Sequence, residues 1–199
     1  MTGRATRPAV FLDKDGTLVP DRPYSVDASA MELARGAGEG CRALHASGFA
    51  LICVSNQSGV ARGMFAEEAL RPVRDRLLAM LREHDVPLLD FLYCPHHPEG
   101  VVAEYALRCA CRKPQPGLLL EAAARHKLDL GRSWMVGDIL DDVEAGARAG
   151  CRTVLVDSGN ETEWVDGRFR RPDITAGDLR EAATGILRAR DREVREAAV

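Results

Sequence analysis

Residues 9–18 read AVFLDKDGTL, an apolar run that ends at two carboxylates, Asp13 and Asp15, one residue apart. A short apolar run bounded by charged residues and glycine is typical of a buried strand. Two carboxylates at a strand end can divide chemical work, because one can attack as a nucleophile while the other transfers protons. Their mutual repulsion calls for a cation, and hard oxygen ligands suit Mg²⁺. Taken alone, the same residues fit a solvated acidic turn equally well.

Further apolar runs alternate along the chain with helical patterns. Strands are predicted at residues 9–12, 49–54, 88–93, 134–136 and 153–156, with a sixth near Ile174. Helices are predicted over residues 36–47, 66–84, 116–127, 141–149 and 178–193, the second of them disturbed in its early turns by Pro72. This alternation predicts an α/β fold with βαβ units and a parallel sheet. Such sheets bind ligands beyond the carboxyl ends of their strands.

Length and charge limit the classes of protein that need to be considered. The 199 residues carry 27 Lys+Arg against 30 Asp+Glu, a net charge of -3. We expect one domain over residues 1–199, and the charge argues against a general nucleic-acid binder. No apolar run is long enough to span a membrane, and Met1–Val10 has no apolar region of signal-peptide length. We therefore expect a cytoplasmic protein with no membrane or nucleic-acid partner, whose six cysteines are reduced.

Two more segments carry groups suited to phosphate chemistry, one after the second predicted strand and one before the third predicted helix. The hydroxyl of Ser55, directly after the second strand, could donate a hydrogen bond to a phosphoryl oxygen, although the segment also fits an ordinary Asx/Gly turn. Lys113 offers a compact ammonium that suits phosphate neutralisation. Arg112 beside it could clamp a second anionic group with two hydrogen bonds. A solvated basic pair is the plainer interpretation of these two residues.

Acidic residues also follow the fourth predicted strand. Asp138 could complete a Mg²⁺ shell with Asp13 and Asp15. Asp142 comes one helical turn later and could orient the site from behind. For Asp141 the simpler interpretation is a favourable charge at a helix N-terminus.

A cysteine and histidine cluster lies in an aperiodic segment at about residues 94–111. Cys94 and Cys109-Ala110-Cys111 supply three thiolates, and His96 or the adjacent His97 supplies an imidazole. This is a Cys₃His set for tetrahedral Zn²⁺, and a full protein shell of this kind is structural. The zinc would fix the loop that ends at Arg112 and Lys113. The other cysteines lie in or beside apolar elements and are predicted core residues: Cys41, Cys53 and Cys151.

The string DKDGTL, followed in order by the motifs at Ser55, Lys113 and Asp138, resembles the haloacid dehalogenase superfamily of phosphatases. The resemblance implies a Rossmann-like core in which Asp13 attacks phosphorus and forms an aspartyl-phosphate. It implies that Asp15 protonates the leaving oxygen and then activates water. Ser55 and Lys113 would hold the phosphoryl oxygens. Mg²⁺ would bind Asp13, the backbone carbonyl of Asp15, and Asp138.

The zinc cluster joined to Arg112-Lys113-Pro114, together with SNQSGVARG at residues 55–63, resembles the D,D-heptose 1,7-bisphosphate phosphatases. These are capless superfamily members that remove the C7 phosphate of a sugar bisphosphate, and a monomer is their usual form. The family pattern favours His96 over His97 as the zinc ligand. The resemblance implies substrate contacts at Asp21, Arg22, Pro23, Tyr24, Asn56, Gln57, Ser58 and Arg112.

Alternatives remain within and outside this enzyme class. Histidinol-phosphate phosphatases share the zinc loop, although their second motif typically reads TNQDG. The heptose family often has lysine directly after the fourth-motif aspartate, where this chain has Ile139, and this leaves the substrate and its anomer open. A zinc-stabilised binding module without turnover would be expected to lack catalytic residues, and none is missing. A sugar phosphomutase would need a large cap, for which the segment between the first two motifs is too short.

Overall fold

Six strands form the sheet of this chain, and a computed structural model describes residues 6–196. The strands are β1 (Ala9–Leu12), β2 (Ala50–Asn56), β3 (Asp90–Cys94), β4 (Trp134–Gly137), β5 (Arg152–Val156) and β6 (Ile174–Ala176). All neighbouring pairs run parallel, in the order β3-β2-β1-β4-β5-β6. The predicted parallel α/β sheet is confirmed, and its strand order is that of a Rossmann-like fold.

Among residues 6–196, four α-helices connect successive strands from β1 to β5, and a fifth follows β6. They are α1 (Ala37–Ala46), α2 (Leu70–Arg82), α3 (Gly117–His126), α4 (Leu140–Ala149) and α5 (Leu179–Glu196). Short 3₁₀ turns occur at Ala28–Ala30, Glu67–Ala69 and Leu130–Arg132. Within residues 6–196, no helix is long and apolar enough to cross a bilayer.

The core forms two layers because successive side chains of β1 point to opposite faces of the sheet. Val10 and Leu12 pack into the layer that contains residues of α1, α2 and α5. Ala9 and Phe11 pack into the other layer, against residues of α3 and α4. All four side chains are fully buried. β1 is thus the centre of both layers, and the loop that leaves it is held on both sides.

Most predicted elements are confirmed, with shifts at their ends. β1 has the predicted bounds, whereas β2 continues beyond the predicted Val54 through Ser55 and Asn56. The predicted helix over residues 66–84 begins as a 3₁₀ turn and becomes α-helical only at Leu70. Pro72 lies in the first turn of α2, where no backbone donor is needed, so the helix continues past it.

Two connections distinguish this fold from a plain doubly wound sheet. Between β1 and β2, residues 13–49 hold one 3₁₀ turn and α1, so no cap domain is inserted there. Residues 95–116 contain no helix or strand and connect β3 to α3, as predicted for a structured loop. The prediction of one domain over residues 1–199 extends beyond the described residues, as does the prediction for Met1–Val10, since residues 1–5 and 197–199 are not described.

Candidate active site

Asp13 and Asp138 follow β1 and β4, two neighbouring strands at the point where the strand order reverses. An open parallel sheet forms a crevice at such a point. The backbone N–H of Asp13 donates to the carbonyl of Val136 at 2.9 Å, which holds the loop after β1 against β4. The crevice encloses a cavity of about 180 Å³ lined by Asp13, Asp15, Asp21, Ser55, Asn56, Lys113, Asp138, Ile139, Asp142 and Asn160.

Lys113 is buried at the base of this cavity and contacts two carboxylates. Its ammonium is hydrogen-bonded to Asp13 and lies 2.6 Å from Oδ1 of Asp142. It also donates to the carbonyl of Val54 at 2.9 Å. Burial alone would lower the pKa of Lys113, but the charges of Asp13 and Asp142 raise it above its ordinary value. Lys113 therefore carries a positive charge directly beside Asp13.

The side-chain amide of Asn56 fixes the backbone that carries Lys113. Asn56 Nδ2 donates to the carbonyl of Lys113 at 3.0 Å, and the N–H of Lys113 donates to Asn56 Oδ1 at 3.0 Å. The pair joins the end of β2 to a segment 57 positions later in the chain. The backbone N–H and C=O of Lys113 both have hydrogen-bond partners as a result, and Asn56 of the second motif positions the lysine.

Asp15 is held by donors on both carboxylate oxygens. Lys14 contacts Oδ1, and Gln57 Nε2 donates to Oδ2 at 3.1 Å and to Ser55 Oγ at 2.7 Å. Burial and the charge of Asp13 raise the pKa of Asp15 above its usual value of 3.8, and Lys14 opposes part of this shift. A carboxyl with a raised pKa is more readily protonated, which suits a group that must donate a proton.

Asp13, Asp138 and Asp142 bring three carboxylates together. One oxygen from each lies within 4.8 Å of the others, and all three residues are buried. Burial, together with the charges of Asp13 and Asp142, raises the pKa of Asp138 to about 8. Lys113 supplies one nearby positive charge, so the group is rich in anionic oxygen. This donor set fits a hard divalent cation such as Mg²⁺.

The predicted zinc residues converge in the loop between β3 and α3. Cys111 Sγ lies 3.1 Å from Cys94 Sγ, 3.3 Å from Cys109 Sγ and 3.3 Å from His96 Nδ1. Three thiols and one imidazole nitrogen, all within 4.8 Å of one another, match a closed tetrahedral set. His97 points elsewhere, because its Nε2 lies 3.1 Å from Arg62 Nη2. The geometry therefore favours His96.

Comparison with known proteins places this geometry in a family. The D-glycero-beta-D-manno-heptose-1,7-bisphosphate 7-phosphatase of Yersinia pestis is 43% identical over 153 residues, which cover 76% of this chain and 81% of the relative. The protein of the same name from Escherichia coli K12 is 41% identical over 167 residues, 79% of this chain and 87% of the relative. The chain belongs to this phosphatase family. A HAD-hydrolase-like family model also matches residues 110–182.

Two solved structures share the fold of this family member. A putative HAD-like phosphatase from Mesorhizobium loti superposes with a TM-score of 0.78 at 36% identity, covering 94% of this chain and 91% of that one. The D,D-heptose 1,7-bisphosphate phosphatase of B. bronchiseptica, solved with magnesium and phosphate, gives a TM-score of 0.77 at 28% identity. That match covers 92% of this chain and 99% of the other.

The four residues predicted as substrate contacts after the first motif have different surroundings. Asp21 lines the cavity of the phosphatase site. Arg22 is engaged within its own loop, because its guanidinium donates to the carbonyl of Ala30 at 2.7 Å and to Glu32 at 2.8 Å. Pro23 and Tyr24 are exposed. Of this group, only Asp21 borders the cavity without rearrangement of the loop.

The second and third motifs contribute a further set of predicted contacts. Asn56 borders the cavity, and Gln57 is buried between Asp15 and Ser55. Ser58 is partly buried, and its carbonyl accepts from the N–H of Arg62 at 3.0 Å. Arg112 has a buried Nη1 with no hydrogen-bond partner among the described residues. Arg112 does not itself line the cavity.

Sequence reasoning missed two polar residues at this site. Asn160, in the irregular segment after β5, lines the cavity and donates to Asp138 Oδ2 at 2.8 Å. Lys14, between the two motif carboxylates, is buried and paired with Asp15. The position of Asn160 just beyond a strand's carboxyl end was the only available signal, since no recognised motif surrounds it. The carboxylate of Asp15 is not one of the three that cluster. Its predicted metal contact is instead made by its backbone carbonyl.

Proposed function

We propose that this chain is a Mg²⁺-dependent phosphatase that removes the C7 phosphate of D-glycero-D-manno-heptose 1,7-bisphosphate through an aspartyl-phosphate intermediate. The observation that carries the proposal is the arrangement of Asp13, Asp15 and Lys113 around one cavity in a chain 43% identical to a curated phosphatase of this name. The nucleophile, the proton donor and the charge-neutralising group then lie together at the carboxyl ends of the strands.

The first half-reaction uses Asp13 as nucleophile. A carboxylate oxygen of Asp13 forms a bond to phosphorus as the bond between phosphorus and the C7 oxygen breaks. Asp15 donates its proton to that leaving oxygen, and the dephosphorylated sugar departs as an alcohol. Lys113 and the Ser55 hydroxyl bind phosphoryl oxygens and stabilise the charge that spreads over them.

The second half-reaction regenerates the enzyme. Asp15, now a carboxylate, takes a proton from a water molecule that attacks the phosphorus of the aspartyl-phosphate. The bond between phosphorus and the Asp13 oxygen breaks, inorganic phosphate leaves, and Asp13 returns to its carboxylate form. Gln57 donates to the Asp15 carboxylate at 3.1 Å and so orients the group that first donates and then accepts the proton.

Asp13, Asp138 and the backbone carbonyl of Asp15 are the proposed Mg²⁺ ligands. When bound, the cation supplies charge neutralisation for the phosphoryl group and for the carboxylates that approach it. The close approach of buried carboxylates supports this assignment. Asp142 has a separate proposed role: its ion pair with Lys113 positions the ammonium.

Cys94, His96, Cys109 and Cys111 are the proposed ligands of a structural Zn²⁺. The loop they close is followed directly by Arg112 and Lys113. Bound zinc would therefore stabilise the segment that presents both basic residues to the site. Arg112, which directly precedes Lys113, is proposed to bind a second anionic group of the substrate.

A single domain, a monomeric state and a cytoplasmic location remain predictions. Light scattering coupled to size-exclusion chromatography tests the second, for which a mass near 21.7 kDa is expected. A mass of a dimer or higher oligomer would contradict it.

The proposed activity is tested by measuring phosphate release from the α and β anomers of the heptose bisphosphate and from histidinol phosphate. Both anomers are needed because Ile139, which lines the cavity, replaces the lysine found in many relatives. We expect a higher kcat/KM for a heptose anomer, dependence on Mg²⁺, and loss of activity in Asp13→Asn by at least about 10⁴-fold. A higher kcat/KM for histidinol phosphate would overturn the substrate assignment, and full activity of Asp13→Asn would overturn the nucleophile.

A further inference from the structure

Asn160 lies in the irregular segment between β5 and β6, yet its side chain reaches the cavity that contains the carboxylates of the first and fourth motifs. Its Nδ2 donates a hydrogen bond of 2.8 Å to Oδ2 of Asp138. The two residues are 22 positions apart in the chain. An amide NH₂ can only donate, so this contact favours the charged form of the aspartate.

Asp138 needs such a partner because its surroundings are otherwise repulsive. Its carboxylate lies close to those of Asp13 and Asp142, whereas the ammonium of Lys113 is paired with these two neighbours. The only other side-chain donor to Asp138 among the described residues is the Thr17 hydroxyl, at a long 3.4 Å from Oδ1. Asn160 therefore makes the shorter and better contact that holds this carboxylate in the group.

The segment that carries Asn160 is itself fixed beside the fourth motif. Glu161, the next residue, accepts a hydrogen bond of 2.6 Å from the N–H of Leu140, at the start of α4. Two consecutive residues of the loop thus bind to residues 138 and 140. A contact anchored in this way holds its acceptor with little cost in side-chain entropy when a ligand arrives.

The first motif closes the other side of the contact. A Cβ atom built on Gly16 would lie 1.9 Å from Asp138 Oδ2 and 2.5 Å from Asn160 Nδ2. Only a glycine at position 16 therefore leaves room for the paired side chains of Asp138 and Asn160. The hydrogen bond is enclosed by the first motif on one side and by the loop after β5 on the other, so Asp138 Oδ2 has little room to move.

From this geometry we infer that Asn160 is a positioning residue for Asp138, holding one carboxylate oxygen so that Asp138 is oriented to bind a divalent cation with Asp13. The inference rests on the proposed Mg²⁺-dependent function. Partners of this kind that orient metal ligands typically contribute 10–100-fold to metal affinity. The effect of Asn160 is thus expected on Mg²⁺ binding, and much less on the KM for the sugar phosphate.

The test compares wild type with Asn160→Ala, Asn160→Leu and a control in the same loop, Thr162→Ala, whose parent residue is exposed. Mg²⁺ binding is measured by calorimetry in the absence of substrate, and kcat and KM are then measured at saturating Mg²⁺. We expect Mg²⁺ affinity to fall about tenfold in Asn160→Ala, with KM within about twofold and Thr162→Ala unchanged. Asn160→Leu keeps the approximate shape of the side chain but has neither a donor nor a charge, so its Mg²⁺ affinity should fall as in Asn160→Ala.

The outcomes separate the inference from the proposed function. Wild-type affinity in Asn160→Ala would overturn the inference, and so would wild-type affinity in Asn160→Leu. Equal losses in Asn160→Ala and Thr162→Ala would also overturn it, because they would indicate a general effect of loop stability. If the wild-type protein itself binds no Mg²⁺, the proposed cofactor is wrong, and that result is visible before any variant is measured.

Discussion

Lys113 and Asp142 form a buried ion pair, with 2.6 Å between Nζ and Oδ1 and side-chain exposures of only 2% and 1%. The pair joins the segment after the zinc loop to the first turn of α4. On its other side the ammonium contacts Asp13, so one positive charge is shared between two carboxylates. The charged form of Lys113 is therefore stabilised by two opposite charges, whereas the two acids share a single one.

Removing Lys113 should therefore destabilise the protein more than neutralising Asp142. In Lys113→Met the carboxylates of Asp13 and Asp142 lose their buried cation, and the free energy of unfolding should fall by about 3–5 kcal/mol. In Asp142→Asn the ammonium keeps Asp13 and the Val54 carbonyl, so a loss of about 1.5–3 kcal/mol is expected. Urea denaturation of both variants in a buffer without Mg²⁺ measures the difference.

A matched charge control is Arg71→Met, because Arg71 is exposed on α2. It should change the free energy of unfolding by no more than about 0.5 kcal/mol. A larger loss in Asp142→Asn than in Lys113→Met would contradict the shared-charge description of the pair.

Gly16 should be intolerant of a methyl group for two reasons that can be separated. Its φ of +80° disfavours any residue with a Cβ, and that Cβ would lie 1.9 Å from Asp138 Oδ2. Gly150 has a similar φ of +85° but open space around it. Gly150→Ala should therefore cost only the backbone strain, about 1–2 kcal/mol, while Gly16→Ala should cost more and also abolish phosphatase activity. Equal stability and equal activity of the two variants would show that the contact with Asp138 is unimportant.

The adjacent histidines of the zinc loop provide a direct test of the metal ligands. His96 Nδ1 lies 3.3 Å from Cys111 Sγ, whereas His97 Nε2 faces Arg62 at 3.1 Å. His96→Ala should release zinc at a much lower chelator concentration than wild type and lower the melting temperature, because a ligand of a closed site is lost. His97→Ala should retain about one zinc per chain, measured by elemental analysis after dialysis. The reverse pattern would transfer the ligand role to His97.

Asp15 should matter most when the leaving group is a poor one. An alkoxide leaving from C7 needs a proton, whereas p-nitrophenolate leaves without one. Asp15→Asn should therefore slow the single-turnover release of the dephosphorylated sugar by about 10²–10⁴-fold and that of p-nitrophenolate far less. A single turnover is needed because Asp15 also serves the second half-reaction, which the two substrates share. Similar losses in the two single-turnover rates would contradict a general-acid role for Asp15.

Strand-end chemistry explains why much of this site could be predicted from the sequence. Asp13, Ser55 and Asp138 each follow or end a strand of a parallel sheet, so alternating elements were enough to bring them to one edge. The proposed zinc ligands could also be predicted, because residues so close together in one loop cannot lie far apart in the fold. The predicted bounds of β1 were correct for the same reason: a buried apolar run ends where charge begins.

Contacts that depend on tertiary geometry could not be predicted in this way. Asn160 lies in a segment with no period, and only the folded chain brings it to Asp138. The Asp142–Lys113 ion pair requires the first turn of α4 to face the segment after the zinc loop, which residue spacing does not determine. Asp142 was predicted to orient the site, but its partner became visible only in the structure. Arg22, predicted to contact the substrate, pairs with Glu32 in this structure, a contact that residue spacing does not determine.

The position of the cleaved bond tests the central claim most directly. Phosphorus NMR of the heptose 1,7-bisphosphate, incubated with the wild-type protein and Mg²⁺, follows the two phosphates separately. The account predicts that the C7 signal disappears, that the C1 signal remains, and that Asp13→Asn leaves both unchanged. Loss of the C1 signal first, or no loss of either signal from both anomers, would contradict it.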